Sequence, residues 1–313
     1  MTQPSLVSVI IPAYNCAQFL ASALDSVFAQ TYKLIEVIVV DDGSTDASAD
    51  IVHSYHDVVY VRQNNRGPSA ARNAGVGIAQ GEFIAFLDAD DLWEPAKLTE
   101  QIAILDANPR AGLVFSDMRL FDESESSQPS MFGKYGMTAD FFGEETRVVD
   151  CVRKLVRANF IPTSSVVVRR QALVHTGGFD EQYRKAEDWD MWLRIALHFP
   201  VIYSPKLLVL KRVHDVNVSH DAEGMNVAAV QVLEKFDREN HVILSRLNVD
   251  INSVLRDGYR NLGYFYLRQV STAQARAAFW RSLQLGFQLR ALAYLISTFL
   301  GPWFVDAVMR TRG

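Results

Sequence analysis

A chain of 313 residues with 49% hydrophobic composition holds enough apolar material for a large core, as one big domain with an appendage or as two domains, and this excludes general disorder. Its formal net charge is −5, from 31 basic and 36 acidic residues, with no long basic block outside the extreme C-terminus, so a nucleic-acid binder is excluded. Two cysteines, Cys16 and Cys151, lie far apart without metal-ligand spacing, which excludes a disulfide framework and suits a reducing compartment.

The polar start Met1-Thr2-Gln3-Pro4-Ser5 shows neither the basic start nor the cleavage site of a signal peptide, so a cytoplasmic location is expected. Residues 7–11 read as a first strand and Pro12-Ala13-Tyr14-Asn15 as a turn. A helix over 17–30 follows, with Phe19, Leu20, Ala23, Leu24, Val27 and Phe28 on one face and Asn15 as its cap. Residues 35–40 form a second buried strand that ends in Asp41-Asp42-Gly43-Ser44-Thr45-Asp46, where Ser44 or Thr45 can cap a helix to about residue 55. A short strand over 58–62, a polar loop over 64–69 and a helix of small residues over 70–79 come next.

Residues 82–87 are an uninterrupted apolar strand ending at Asp88-Ala89-Asp90, with Asp91 behind it. If the extended geometry persists, Asp88 and Asp90 point the same way with Cα atoms roughly 6.5 Å apart. Such carboxylates can hold a hard divalent cation such as Mg²⁺ or Mn²⁺, which keeps waters and substrate phosphates in its other positions. The plainer reading is a solvated acidic turn that caps the helix begun by Glu94, Pro95 and Lys97.

Strands alternating with helices at these intervals predict an α/β fold: a mostly parallel twisted sheet flanked by helices, with an α-helical C-terminal extension. Such sheets bind ligands outside the carboxyl ends of their strands, where the polar clusters at Pro12 and Tyr14, Asp41 and Asp42, Arg66 and Arg72, and Asp88 and Asp90 all fall. An aromatic, acids for a base or ribose, a cation for phosphate and acids for a metal suit a nucleotide diphosphate. The Gly-x-Gly-x-x-Gly turn of dinucleotide-binding domains is absent, and so is a P-loop. Singly, Tyr14 can be a packing aromatic, Arg72 a solvated helix residue, and Asp41 or Asp42 a turn former.

Four segments then carry a specific likeness: Val9-Ile10-Ile11-Pro12-Ala13-Tyr14-Asn15, Val39-Val40-Asp41-Asp42-Gly43-Ser44-Thr45-Asp46, Gly67-Pro68-Ser69-Ala70-Ala71-Arg72-Asn73-Ala74-Gly75 and Phe86-Leu87-Asp88-Ala89-Asp90-Asp91. In order and spacing the chain resembles family 2 glycosyltransferases over roughly residues 6 to 215, the inverting family with the GT-A fold. The resemblance implies that Pro12, Ala13 and Tyr14 line the nucleotide pocket and that Asp42 holds the base with Asp41 beside it. It further implies that Arg72 lies near the diphosphate, that Asp88 approaches the ribose, and that Asp90 of this DXD motif binds the metal.

Residues 112–117 read as another strand and 121–145 as a loop or lid without periodicity. A short helix over 150–158, a strand over 166–168 and a turn at Thr176-Gly177-Gly178-Phe179-Asp180-Glu181 precede a helix opened by Glu187-Asp188-Trp189-Asp190. Acids there suit simple capping. The family resemblance implies instead that Asp188 is the general base that takes the acceptor's proton. His214, in Lys211-Arg212-Val213-His214, can be a further metal ligand or diphosphate contact, or an ordinary hydrogen-bonded histidine.

The expected boundary falls at 218/219: residues 1–218 as the catalytic domain and 219–313 as helices over 222–239, 251–268 and 271–285, two of them an antiparallel pair. The apolar stretch 289–309 is broken by Gly301-Pro302, so neither half reaches the roughly 20 residues of a spanning helix. With Trp303, Phe304, Arg290, Arg310 and Arg312, residues 289–312 suit a peripheral contact with the inner face of the cell membrane; docking on the helix pair or on a homodimer partner is the equal alternative. The expected activity is a metal-dependent inverting transfer from a nucleotide-diphosphate sugar, with UDP as nucleotide, to a glycan or lipid-linked acceptor in polysaccharide synthesis. A nucleotide-sugar-binding protein without transfer and a sugar nucleotidyltransferase are the competing readings.

Overall fold

The run Val7–Ala13 (β1) is apolar on both faces, and the fold buries both by laying strands on either side of it. A computed structural model of the chain describes residues 4–121, 130–143, 147–214 and 221–299. Ile35–Asp41 (β2) and Phe83–Phe86 (β4) pair with β1 in parallel, and Val58–Arg62 (β3) extends the sheet beyond β2. The register sets Ala13 beside Asp41 and Asp41 beside Arg62, so the polar strand ends share one edge. Helix α1 (Ala17–Phe28) buries Leu20, Ala23, Leu24 and Val27. Helix α2 (Ser48–His53) is shorter than expected. Helix α3 (Pro68–Ile78) lies so close to the sheet that a Cβ at Gly75 would come within 2.6 Å of Ile10 Cγ2, which is why small residues fill it.

The expected caps are reassigned. Asn15 has φ +48° and, rather than capping α1, accepts with Oδ1 from the Thr45 amide at 2.8 Å. Asp46 does the capping work for both helices, accepting from Ala17 N at 2.9 Å and Ser48 N at 3.0 Å. The two oxygens of one carboxylate take one amide each, while the Ser44 hydroxyl accepts instead from Asn15 N at 3.0 Å.

Beyond β4 the sheet becomes mixed, in the order β3-β2-β1-β4-β7-β6-β8-β5 among the described residues. Its other strands are Leu92–Trp93 (β5), Leu113–Phe121 (β6), Val167–Arg169 (β7) and Val201–Arg212 (β8). Four of the seven strand pairs are parallel and three, β4 with β7, β7 with β6 and β8 with β5, are antiparallel. β5 and β8 were not legible as strands: the first is two residues long, and Ser204-Pro205-Lys206 interrupts the second. Between β5 and β6 runs α4 (Lys97–Ala107), whose N-cap is Ala96, so the acids of 88–91 do not cap it.

In the stretch expected as a loop, α5 (Met131–Lys134) and α6 (Ala139–Phe142) bury Phe132 and Phe142 against Phe115, Phe160 and Tyr203; residues 122–129 and 144–146 lie outside the described residues. Helices α7 (Cys151–Arg157), α8 (Arg170–Thr176) and α9 (Glu187–His198) complete this unit, which spans Met1–Asn217.

Lys97 is wholly buried, with Nζ donating to Gln101 Oε1 at 2.7 Å and lying 4.1 Å from the Trp93 ring centroid. Burial holds its pKa well below the 10.5 of a free lysine. Between those two values the unfolded chain binds more protons than the folded one, so this residue's contribution to stability worsens as pH falls. The stability difference between Lys97→Met and its parent is therefore expected to shift in the variant's favour as pH falls from about 10 to about 7. Thermal melts at both pH values check this, and an equal difference at the two would refute it.

The second unit, Val218–Gly313, is helical: α10 (Ala222–Arg246), α11 (Ile251–Arg268), α12 (Thr272–Leu285) and α13 (Leu289–Ser297). Asp221 and Asp250 cap α10 and α11, and the pair α11 and α12 closes over Phe279, which stacks on Tyr294. Leu289, Ile296 and Phe299 are exposed, while Ala291, Tyr294 and Ser297 are buried. Among the described residues no helix is long and apolar enough to cross a membrane. Gly301, Pro302, Trp303, Phe304, Arg310 and Arg312 lie outside the described residues.

Candidate active site

The chain turns immediately after β4: Asp91 N donates to Asp88 O at 3.0 Å, so the extended geometry expected for the acids does not persist. Instead of sharing one partner, the three carboxylates go to different ones. Asp88 Oδ1 accepts from Arg72 Nη2 at 2.8 Å, and Asp90 Oδ2 lies 2.9 Å from His214 Nε2. Asp91 is buried, where its Oδ2 accepts from Ser164 Oγ at 2.6 Å and its Oδ1 from Arg212 N at 3.2 Å. Burial, followed by the neighbouring Asp90 and Asp88 carboxylates, pushes the Asp91 pKa up.

The end of β8 lies over this turn. Arg212 Nε donates to Asp90 O at 3.2 Å, its guanidinium covers the Phe19 and Phe121 rings, and His214 stacks on Phe19 at 4.8 Å. Asp90 and His214 thus present an oxygen and a nitrogen ligand side by side. No group of three or more ligand side chains occurs among the described residues. Two protein ligands fit a divalent cation that takes its remaining positions from diphosphate oxygens and water.

Arg72, expected as a cation near phosphate, is 4% exposed and has two partners inside the chain: Asp88 and, through Nη1 at 2.7 Å, Glu187 Oε1. Its Nε is buried without a hydrogen bond, and the Phe179 ring lies 5.4 Å away. Burial alone would lower the guanidinium's pKa, but the Asp88 and Glu187 carboxylates outweigh it and raise it. Arg72 therefore ties the acid turn to the start of α9. Sequence reading took Glu187 only for a cap; no local signal marks it as the partner of a residue 115 positions away.

Next to Glu187, Asp188 is half-buried, with Oδ1 accepting from Asn159 Nδ2 and Oδ2 from Thr163 Oγ1, both at 3.1 Å. Thr163 belongs to a 3-10 turn, Thr163–Ser165. Burial first, then the Glu187 charge, push the Asp188 carboxyl up to about 6, against Arg72, Thr163 and its own helix amide. Lys211, which sequence reading passed over, completes the cluster. Burial lowers its pKa, but the charges of Asp91, Asp88, Asp90 and Asp188 outweigh this and raise it.

At the other end of the edge, Asp41 and Asp42 are 1% and 4% exposed. Asp41 accepts from Ser44 N at 2.7 Å and Tyr60 Oη at 2.6 Å. Asp42 accepts from Gln63 Nε2, Arg66 N and Gly67 N at 2.7, 2.9 and 2.8 Å. It thereby anchors the loop into α3, where Gly67 has φ +93°, a backbone conformation that favours glycine. Three donors leave Asp42 room for one more. Arg66 pairs with Glu181. Ala13 is buried, Pro12 half-buried and Tyr14 52% exposed at the rim.

A family model described as glycosyl transferase family 2 matches residues 8–161. An uncharacterized glycosyltransferase of Rickettsia typhi is 32% identical over 278 residues, covering 87% of this chain and 85% of its own length. The crystal structure of S. aureus TarS 1-349 in complex with UDP-GlcNAc has a similar fold, with a TM-score of 0.71 and 21% identity over 98% of this chain and 91% of that one. The mannosyltransferase PcManGT from Pyrobaculum calidifontis, in complex with GDP-Man and Mn²⁺, aligns with a TM-score of 0.62 and 21% identity over 98% of this chain and 84% of its own.

Proposed function

This chain belongs to glycosyl transferase family 2, and from that premise we propose that it moves a sugar, with inversion, from a nucleotide-diphosphate sugar to a hydroxyl of a glycan or lipid-linked acceptor. The observation that carries the proposal is the half-buried Asp188 carboxylate, held by Asn159 and Thr163 and joined through Glu187 and Arg72 to the acid turn at 88–91. A single displacement needs such a base across from the leaving group.

In this mechanism Asp188 accepts the proton of the acceptor hydroxyl as that oxygen attacks the anomeric carbon. The bond from that carbon to the β-phosphate oxygen breaks, and the nucleoside diphosphate leaves with the electron pair. Pro12, Ala13, Tyr14, Asp41 and Asp42 receive the nucleoside, and Asp88 approaches the ribose. Asp90 and His214 would hold Mg²⁺ or Mn²⁺, which would supply positive charge against the diphosphate. The Lys211 ammonium adds a resident positive charge to the same group of acids. Arg72 orients Asp88 and Glu187.

The two solved neighbours bind different donors, UDP-GlcNAc and GDP-Man, so UDP remains the first nucleotide to test and GDP the second. With a panel of UDP- and GDP-sugars, we expect nucleoside diphosphate to be released, release to stop on chelation, and Mn²⁺ or Mg²⁺ to restore it. Pyrophosphate formed from a nucleoside triphosphate would point to a nucleotidyltransferase instead, and donor binding without release to a binding protein. Undiminished turnover in chelator would remove the metal from the reading.

A further inference from the structure

The turn Thr163–Ser165 touches both halves of this centre. Thr163 Oγ1 donates to Asp188 Oδ2 at 3.1 Å. The next residue sends its hydroxyl to the acid turn: Ser164 Oγ accepts from the Asp88 amide at 3.1 Å and donates to Asp91 Oδ2 at 2.6 Å. The turn is itself fixed. Trp93 Nε1 donates to Ser164 O at 2.8 Å, Gln101 Nε2 donates to Ser165 O at 2.7 Å, and Ser165 N closes on Pro162 O at 3.0 Å. All three residues are buried. A hydroxyl both donates and accepts, so Ser164 can serve an amide and a carboxylate at once, which no aliphatic residue of its size does.

We infer that Thr163 and Ser164 are positioning residues: Thr163 aims the Asp188 carboxylate, Ser164 holds the 88–91 turn against the donor diphosphate, and one three-residue turn thereby sets the distance between base and leaving group. The inference rests on the reading of Asp188 as the base. Consecutive Cα atoms are about 3.8 Å apart, so the two grips cannot drift independently by more than side-chain freedom allows. A displacement of about 1 Å at a reacting centre costs on the order of a hundredfold in rate, which gives such a spacer its use.

Thr163→Val keeps the volume and removes the donor. Hydrogen bonding to the ionised form of Asp188 is lost, so its pKa rises and the acidic limb of the kcat profile moves to higher pH. The charged groups acting on Asp188 are otherwise unchanged: Glu187 on its own helix, Arg72 from α3 and Lys211 from β8. We expect kcat to fall about tenfold near neutral pH with the donor KM unchanged, the scale of one hydrogen bond to a charged group, and Thr163→Ser to restore both rate and limb. Ser164→Ala is expected to do the reverse, raising the donor KM about tenfold and leaving the acidic limb in place. Asn159→Ala, at an exposed position, should move the limb the same way as Thr163→Val and serves if the buried variant melts early. A parental limb and kcat in Thr163→Val and Asn159→Ala, or a parental donor KM in Ser164→Ala, overturns the inference. Asp188→Asn separates the two failures: if it is inactive while those variants behave as the parent, only the positioning role falls, and if it is active, the base assignment falls.

Discussion

Asp188→Asn is expected to cut transfer about 10²- to 10⁴-fold, the usual contribution of a general base, with donor affinity little changed. The amide is nearly isosteric with the carboxylate, so the seat formed by Asn159, Thr163 and the Trp189 amide keeps its shape while losing the proton acceptor. Donor affinity is spared because the variant leaves the nucleotide end and the Asp90–His214 pair untouched. The parent enzyme carries a companion expectation. Burial and Glu187 raise the Asp188 pKa to about 6, so the ionised base is lost, and the rate with it, as pH falls through that value. Turnover at saturating donor and acceptor from about pH 5 to pH 8 measures the limb, with donor titrations for both proteins. Turnover of Asp188→Asn within threefold of the parent would sink the assignment.

Arg72→Met is expected to destabilise the first unit by about 3–5 kcal/mol, the cost of breaking a buried ion pair by removing one partner. The guanidinium is almost inaccessible, and the variant strands Glu187, whose side chain is 11% exposed, beside an apolar thioether. Asp88 is 33% exposed and recovers hydration, so most of the loss arises at Glu187. Arg72→Lys is expected to fall between the two, because an ammonium on a flexible stem cannot reproduce a planar fork aimed at two carboxylates. Removing Arg72 also takes away a charge that favours ionised Asp188, so the acidic limb should move upward in Arg72→Met. Denaturant unfolding at neutral pH gives the stability difference, and a loss below about 1 kcal/mol would mean that Arg72 is not the buried strut described above.

The first half of the unit Met1–Asn217 could be read from its sequence because its signals are local. The short, largely apolar runs at 7–11, 35–40 and 83–86 fit buried strands in length and β-branched content, and each ends in polar residues that mark the carboxyl edge of the sheet. The second half was less legible. β5 has two residues, a length at which alternation carries no information; β7 matches the strand expected over 166–168, but the antiparallel pairing of both with partners far along the chain was not marked locally. The loop expected at 121–145 is partly tied down by Phe132 and Phe142, whose burial depends on Phe115 and Phe160 from elsewhere in the chain.

By itself the sequence determined the strands and helices of the first half of the sheet, the polar strand ends, the acids at 88–91 and 187–188, and the helical character of the C-terminal unit, since periodicity and motif spacing are properties of neighbouring residues. Only the tertiary structure decided which charge meets which: Arg72 with Glu187 rather than solvent, Asp90 with His214, Lys211 among four carboxylates, and Thr163 and Ser164 on either side of the centre. These partners are separated by 23 to 124 positions, from Lys211 and Asp188 to Asp90 and His214, and pairing at that range is set by how the sheet twists and how closely α3 packs on β1, information that no window of sequence contains.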